Sequence, residues 1–264
     1  YPPHLAPARG PPRAPLRPAH GEDTRGSMPL TNLPREPLGT PRFPQSVAPT
    51  IVVELFGDLS CPFSSRMTTR LFEDSPDAPS VATRLEAAYP GKVQWIYHNL
   101  VQPWHPQSTL LHEASLAVKR INPEAFFPFV LALSKDHFQQ FEDAAVWNKT
   151  RPQIYQELAD VAEAKAGVPA AAVMELLTFK GDFDDPDKRH AGVLVTQEIK
   201  FACRHHRKRG VHVTPTVFLN GMEATVMSSS WTADQFMEYL EPQLAVTAKD
   251  TGDPMFAVGG QRDA

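Results

Sequence analysis

The run Thr50-Ile51-Val52-Val53-Glu54-Leu55-Phe56 is β-branched and apolar, the pattern of a buried strand. Gly57-Asp58-Leu59-Ser60 turns the chain. A helix is then predicted from Pro62 to Leu71, with Ser60 as N-cap and Pro62 in the first turn, where its missing N–H is not needed. Val81 to Ala88 reads as further helix, stopped by Pro90-Gly91. Lys92-Val93-Gln94-Trp95-Ile96-Tyr97-His98 alternates as a second strand. Ile51 to His98 is thus a β–α–β unit, with the right-handed parallel crossover such units adopt.

From His105 to Arg209 the apolar positions recur at helical spacing. Leu111, Ala114 and Val118 mark one helix, and Phe126, Phe127, Val130 and Leu131 a second. Ile154, Leu158, Val161 and Ala162 mark a third, ended by Gly167-Val168-Pro169. A short helix over Pro169 to Leu177 and a longer one over 189–208 follow. Thr216-Val217-Phe218-Leu219 is an apolar strand, Asn220-Gly221 a two-residue hairpin signal, and Glu223 to Met227 the expected returning strand. Trp231 to Leu244 is a final amphipathic helix with Thr232 as N-cap. The order is β-α-β, a helical insertion, then β-β-α, an α/β fold without internal repeats.

Composition changes this picture mainly at the ends. Residues 1–47 hold 12 of the 27 prolines and six arginines against three acids. Such a segment buries too little apolar surface to offset its ordering entropy, so a disordered, partly polyproline-II arm is expected. Its Arg-rich, acid-poor character also fits the remainder of a mitochondrial or plastid transit peptide, which makes those compartments or the cytoplasm the expected location. A tail without function fits equally. The domain is expected over 48–246, with its core at 48–104 and 210–246 and the insertion at 105–209; residues 247–264 read as a flexible tail. The net charge of −4 points to no nucleic-acid partner, and no apolar stretch reaches the length of a membrane span. Two cysteines, Cys61 and Cys203, are too few for a disulfide scaffold.

Cys61 follows a strand and opens a helix in Cys61-Pro62-Phe63-Ser64. Free helix N–H groups and the helix dipole stabilise a thiolate there, the reactive form of the thiol. Pro62 fixes the turn, and Phe63 can shield the sulfur or offer an apolar contact to a partner. Ser64, one turn on, can donate to the thiolate but cannot form a disulfide. A Cys-x-x-Cys pair resolves its own mixed disulfide. Cys61 needs an outside thiol, or Cys203 if the two Cα atoms come within about 7 Å. The bland reading is that both are packed, inert cysteines.

Cys-Pro-Phe-Ser after a strand, a helical insertion opening Trp104-His105-Pro106, then Gly210-Val211-His212-Val213-Thr214-Pro215-Thr216 and Asn220-Gly221 resemble the DsbA-like branch of the thioredoxin superfamily, over about residues 50–244. The resemblance implies a thioredoxin-like fold with a helical insertion. It implies that Cys61 is the nucleophile, that Pro215 is cis and lies beside it, and that the backbone of Thr214 receives an extended substrate. Ser64 departs from the family pattern, where oxidases carry the second cysteine. The site expected is therefore Cys61, Ser64 and Pro215 for chemistry and Pro62, Phe63 and Thr214 for substrate, with no metal and no bound cofactor.

The function expected is monothiol thiol-disulfide exchange with protein or glutathione partners, glutathione being the co-substrate that releases Cys61. The alternative is a catalytically silent binding module or a subunit of a larger assembly. An iron–sulfur role like that of monothiol glutaredoxins fits less, since those proteins lack the long insertion and no Gly-Gly-x-Asp follows Asn220-Gly221. The run His205-His206-Arg207-Lys208-Arg209 reads as favourable positive charge at a helix C-terminus, because adjacent helical histidines point apart. His98, His105 and His112 are scattered candidates, His105 as the start of the insertion.

Overall fold

The computed structural model describes residues 33–34, 36–43, 49–76 and 78–245. The rest of the expected Pro/Arg arm and the whole of the expected tail lie outside the described residues. Strands β1 (Thr40–Pro41), β2 (Ile51–Gly57), β3 (Val93–Asn99), β4 (Thr216–Leu219) and β5 (Met222–Glu223) form one sheet in the order β1-β3-β2-β4-β5. β2 and β3 run parallel, from Ile51 opposite Val93 to Gly57 opposite Asn99. The other three pairings are antiparallel. Helices α1 (Pro62–Phe72) and α2 (Val81–Ala88) make the crossover between β2 and β3.

Between β3 and β4 lie α3 (Ser108–Ile121), α4 (Phe126–Ser134), α5 (Asp143–Val146), α6 (Arg151–Ala166), α7 (Ala170–Leu177) and α8 (Thr196–Lys208). Helix α6 starts on a Thr150–Gln153 capping box and stops at Gly167, whose φ of 67° is open to glycine at no steric cost. The chain closes with α9 (Ala233–Ala245), where Thr232 Oγ1 accepts from the Gln235 N–H at 3.3 Å.

Four local expectations change. Thr40–Pro41, inside the segment expected to be disordered, pairs with Tyr97 and Ile96 as an edge strand, where a proline's missing N–H does no harm. The helix expected over 189–208 begins only at Thr196. Gly192 is left-handed at φ 72°, and Thr196 Oγ1 takes the Val193 N–H at 2.8 Å, a turn that blocks extension backwards. The returning strand keeps two residues, because the chain turns again at Ala224–Met227. The residue at the N-cap of α1 is Cys61, not Ser60.

Alternation along β2 separates two apolar clusters. Ile51, Val53 and Leu55 join the main core with Met67, Leu71, Phe72, Trp95 and Phe127. Phe56 joins Leu100, Val211 and Phe218 in a smaller cluster. Helix α8 covers that second side, with the His205 ring 5.6 Å from Phe56. Asn220 and Gly221 both have positive φ, as a two-residue hairpin of this hand requires. Among the described residues no helix is long and apolar enough to cross a membrane.

Candidate active site

Cys61 stands where β2 has ended and α1 begins, with extended backbone (φ −89°, ψ 122°) and Pro62 at the first helical position. Its carbonyl accepts the Ser65 N–H at 2.9 Å, and its own N–H donates to Asp58 O at 3.1 Å. The residue is 6% exposed, and its Sγ donates to the backbone oxygen of Thr214 at 3.5 Å. The Thr214–Pro215 peptide bond is cis. Cys61, Thr214 and Pro215 therefore meet at one end of the sheet, β2 delivering the first and the entry to β4 the other two.

Ser64 takes part in a backbone contact as well. It is buried, its Oγ accepts the Asp58 N–H at 3.2 Å, and it makes no hydrogen bond to Cys61 among the described residues. Phe63 is more than half exposed, with the Arg66 guanidinium 5.9 Å from its ring centre. Val213, next to Thr214, is also an exposed apolar residue, as is Trp104, two residues after Gln102, whose side chain approaches Thr214 Oγ1 at 3.5 Å.

Beneath Cys61 lies a polar network that sequence reasoning missed. Asp58 is fully buried and accepts from the Ser60 N–H (2.8 Å), the Gln102 N–H (2.9 Å) and Ser108 Oγ (2.9 Å). His112, equally buried, sets Nε2 at 3.5 Å from Asp58 Oδ1, while Asn99 Nδ2 pairs with its Nδ1 at 2.8 Å. Burial opposes ionisation of Asp58. The hydrogen bond and charge of His112, with Ser60 and Ser108, outweigh it and hold the carboxyl below its ordinary range. Gln102 carries the network on: its Nε2 donates to His212 O (3.2 Å) and approaches Thr214 Oγ1 (3.5 Å). The signal available in the sequence was Asp58 three residues before Cys61, read there only as part of a turn.

Tyr97 is wholly buried nearby, and its hydroxyl has no hydrogen-bond partner among the described residues. Burial, reinforced by Asp58 and Cys61, raises its pKa well above the usual tyrosine value. A Cβ at Gly57 would stand 2.7 Å from the Tyr97 hydroxyl oxygen, so only glycine admits that side chain.

The remaining candidates separate. His105 lies at the start of the insertion, three residues before α3, and its Nδ1 pairs with Asp143 at 3.1 Å. Both cysteines are free thiols. Cys203 lines a surface depression on α8 with Lys200, Arg204, Arg207 and Lys208, without Cys61. Its thiol is pushed up by burial, partly countered by Arg207. His98 meets Glu54 at 3.0 Å, and Arg209 reaches the same carboxylate oxygen at 2.5 Å. Burial disfavours the Glu54 charge, but these two partners bring its pKa down to about 2.

No protein-family model matches the sequence, and no curated protein matches it. Solved structures do. A candidate protein-disulfide isomerase from Pseudomonas syringae superposes with a TM-score of 0.53 at 22% identity, covering 74% of this chain and 97% of that one. BdbD from Bacillus subtilis gives 0.50 at 17% identity, covering 78% and 97%. DsbA from Mycobacterium tuberculosis gives 0.50 at 20% identity, covering 81% and 92%. The crossover unit, the helices between β3 and β4 and the antiparallel β4–β5 hairpin are thus parts of one known architecture: the chain has the DsbA-like thioredoxin fold.

Proposed function

We propose that the protein is a thiol-disulfide oxidoreductase that works through Cys61 alone, with glutathione as the thiol that releases it. The observation that carries this reading is the placement of the Cys61 sulfur at the start of α1, 3.5 Å from Thr214 O, with a serine one turn on. Two solved neighbours that share the fold, one described as a candidate protein-disulfide isomerase and one, from Actinomyces oris, as a thiol-disulfide oxidoreductase, make this chemistry the natural one to test.

In the proposed cycle, the Cys61 thiolate attacks the glutathione sulfur of a glutathionylated protein thiol. The new bond is Cys61–S–S–glutathione; the bond broken is the substrate's disulfide, whose protein sulfur leaves as thiolate and takes up a proton. A second glutathione thiolate attacks that mixed disulfide. Cys61 returns to thiolate, and oxidised glutathione departs with the oxidising equivalents. The free helix N–H groups of α1 stabilise Cys61 whenever it is the attacking or leaving thiolate. The backbone at Thr214 aligns the partner chain, and exposed Phe63, Trp104 and Val213 offer it apolar contact.

A second reading, a binding module with a silent cysteine, draws on the 6% exposure of Cys61 and on the commitment of the Ser64 hydroxyl to Asp58. Turnover of a glutathionylated peptide in the presence of reduced glutathione decides between them. The oxidoreductase reading expects turnover that Cys61→Ser abolishes and Cys203→Ser leaves intact. No turnover above the uncatalysed rate supports the binding module.

A further inference from the structure

Away from Cys61 the sheet brings together three side chains of a different chemistry. Glu54 lies on β2, His98 on β3 and His205 on α8, far apart in sequence. One ligand-type atom from each lies within 4.8 Å of the other two. His98 Nε2 and Glu54 Oε1 are 3.0 Å apart. Two ligands bound at about 2.0–2.2 Å to one tetrahedral or octahedral ion stand about 3–3.5 Å apart. His205 Nε2 is buried and has no hydrogen-bond partner among the described residues. An orphaned buried nitrogen is costly in a protein interior and calls for an explanation. The ring of His98 stacks on Phe56 (4.4 Å, 15°), which holds its orientation.

We infer that Glu54, His98 and His205 form a binding site for one divalent transition-metal ion of the zinc class, entered when Arg209 swings off Glu54. Two imidazoles and one carboxylate suit zinc and its neighbours, whereas calcium and magnesium prefer all-oxygen sets. Three protein ligands leave a position for water. Arg209 occupies the carboxylate in this structure through Nη1 at 2.5 Å. It sits just past the end of α8 with its side chain 24% exposed, so it can turn to solvent. Metal binding then exchanges one cation at Glu54 for another and gives the His205 nitrogen its missing partner. The cost of the exchange is the cation–π stacking of Arg209 over the rings of Phe56 and Phe218.

The site is independent of Cys61, and its test removes both thiols as competing ligands. Cobalt(II) and then zinc are titrated into the full chain carrying Cys61→Ser and Cys203→Ser, with visible absorption and calorimetry as readouts. The expected result is one equivalent bound, with the ligand-field bands of a low-coordinate nitrogen–oxygen site. Adding His205→Ala weakens affinity by more than about tenfold. Adding Arg209→Gln, which removes the competing cation without touching a ligand, strengthens it. Absence of stoichiometric binding in the thiol-free protein overturns the inference, as does binding that neither His205→Ala nor Arg209→Gln changes. Circular dichroism of each variant ensures that a loss is not unfolding; if His205→Ala does not fold, the Arg209→Gln comparison alone decides.

Discussion

The Cys61 sulfur lies 3.5 Å from the backbone oxygen of Thr214, a residue 153 positions further along the chain. That contact joins the two halves of the fold, the crossover unit and the β4–β5 hairpin, at the point where a thiol and an extended partner chain would meet.

Ser64→Cys creates a Cys-Pro-Phe-Cys sequence but removes the hydroxyl that accepts the buried Asp58 N–H. Leaving that donor poorly satisfied costs about 1–3 kcal/mol, so the variant unfolds at lower urea concentration. The same variant supplies an internal resolving thiol. Its mixed disulfide with glutathione is expected to decay without added thiol, where the parent's persists.

Asp58 makes stability fall in acid. Its folded pKa is depressed below the ordinary 3.8, so its contribution is complete above that value and is lost as the pH drops through the folded pKa. The groups facing the carboxylate are His112, Ser60, Gln102 and Ser108. Unfolding free energy measured below pH 4 should decline steeply in the parent and less steeply in Asp58→Asn. Equal slopes would show that Asp58 is not the linked group.

Gly57 and Tyr97 should couple. Gly57→Ala drives a Cβ to 2.7 Å from the Tyr97 hydroxyl, and overpacking of this kind costs about 1–3 kcal/mol. Tyr97→Phe removes a buried hydroxyl that has no partner among the described residues and is expected to be neutral or stabilising. The double variant should lose less than Gly57→Ala alone. Chemical denaturation of all four proteins gives the cycle, and strict additivity would contradict the contact.

Gln102→Ala tests the link from Asp58 to the Thr214 loop. Its side chain ties His212 O and Thr214 Oγ1, while its backbone N–H, which the substitution keeps, serves Asp58. The variant should stay within about 1.5 kcal/mol of the parent in stability. It should also raise KM for a peptide substrate more than it lowers kcat, because the loop rather than the sulfur is disturbed.

Much of this was readable in the residues, for a physical reason. Ile51–Gly57 and Val93–Asn99 are buried strands whose β-branched and aromatic runs carry their own signal, and a helix between them forces a parallel pair. Cys61 at the head of α1 and the Asn220-Gly221 turn follow from local chemistry in the same way. Thr40–Pro41 could not be read, because a two-residue edge strand has no periodicity and its partner is more than fifty residues away. The roles of Asp58 and His112 were hidden for a related reason. A buried carboxylate looks like a turn residue until the fold closes His112 and Gln102 over it. The same closure brought the Ser64 hydroxyl oxygen to the Asp58 N–H, a bond that the spacing along α1 does not announce.

The most direct test of the account is exposure of the reduced protein to oxidised glutathione, followed by intact-mass and peptide-mass measurement. The account predicts one glutathionyl adduct on Cys61, formed at a rate well above that of Cys203, absent in Cys61→Ser and released by added reduced glutathione. An unmodified Cys61 under conditions that modify Cys203 would contradict it.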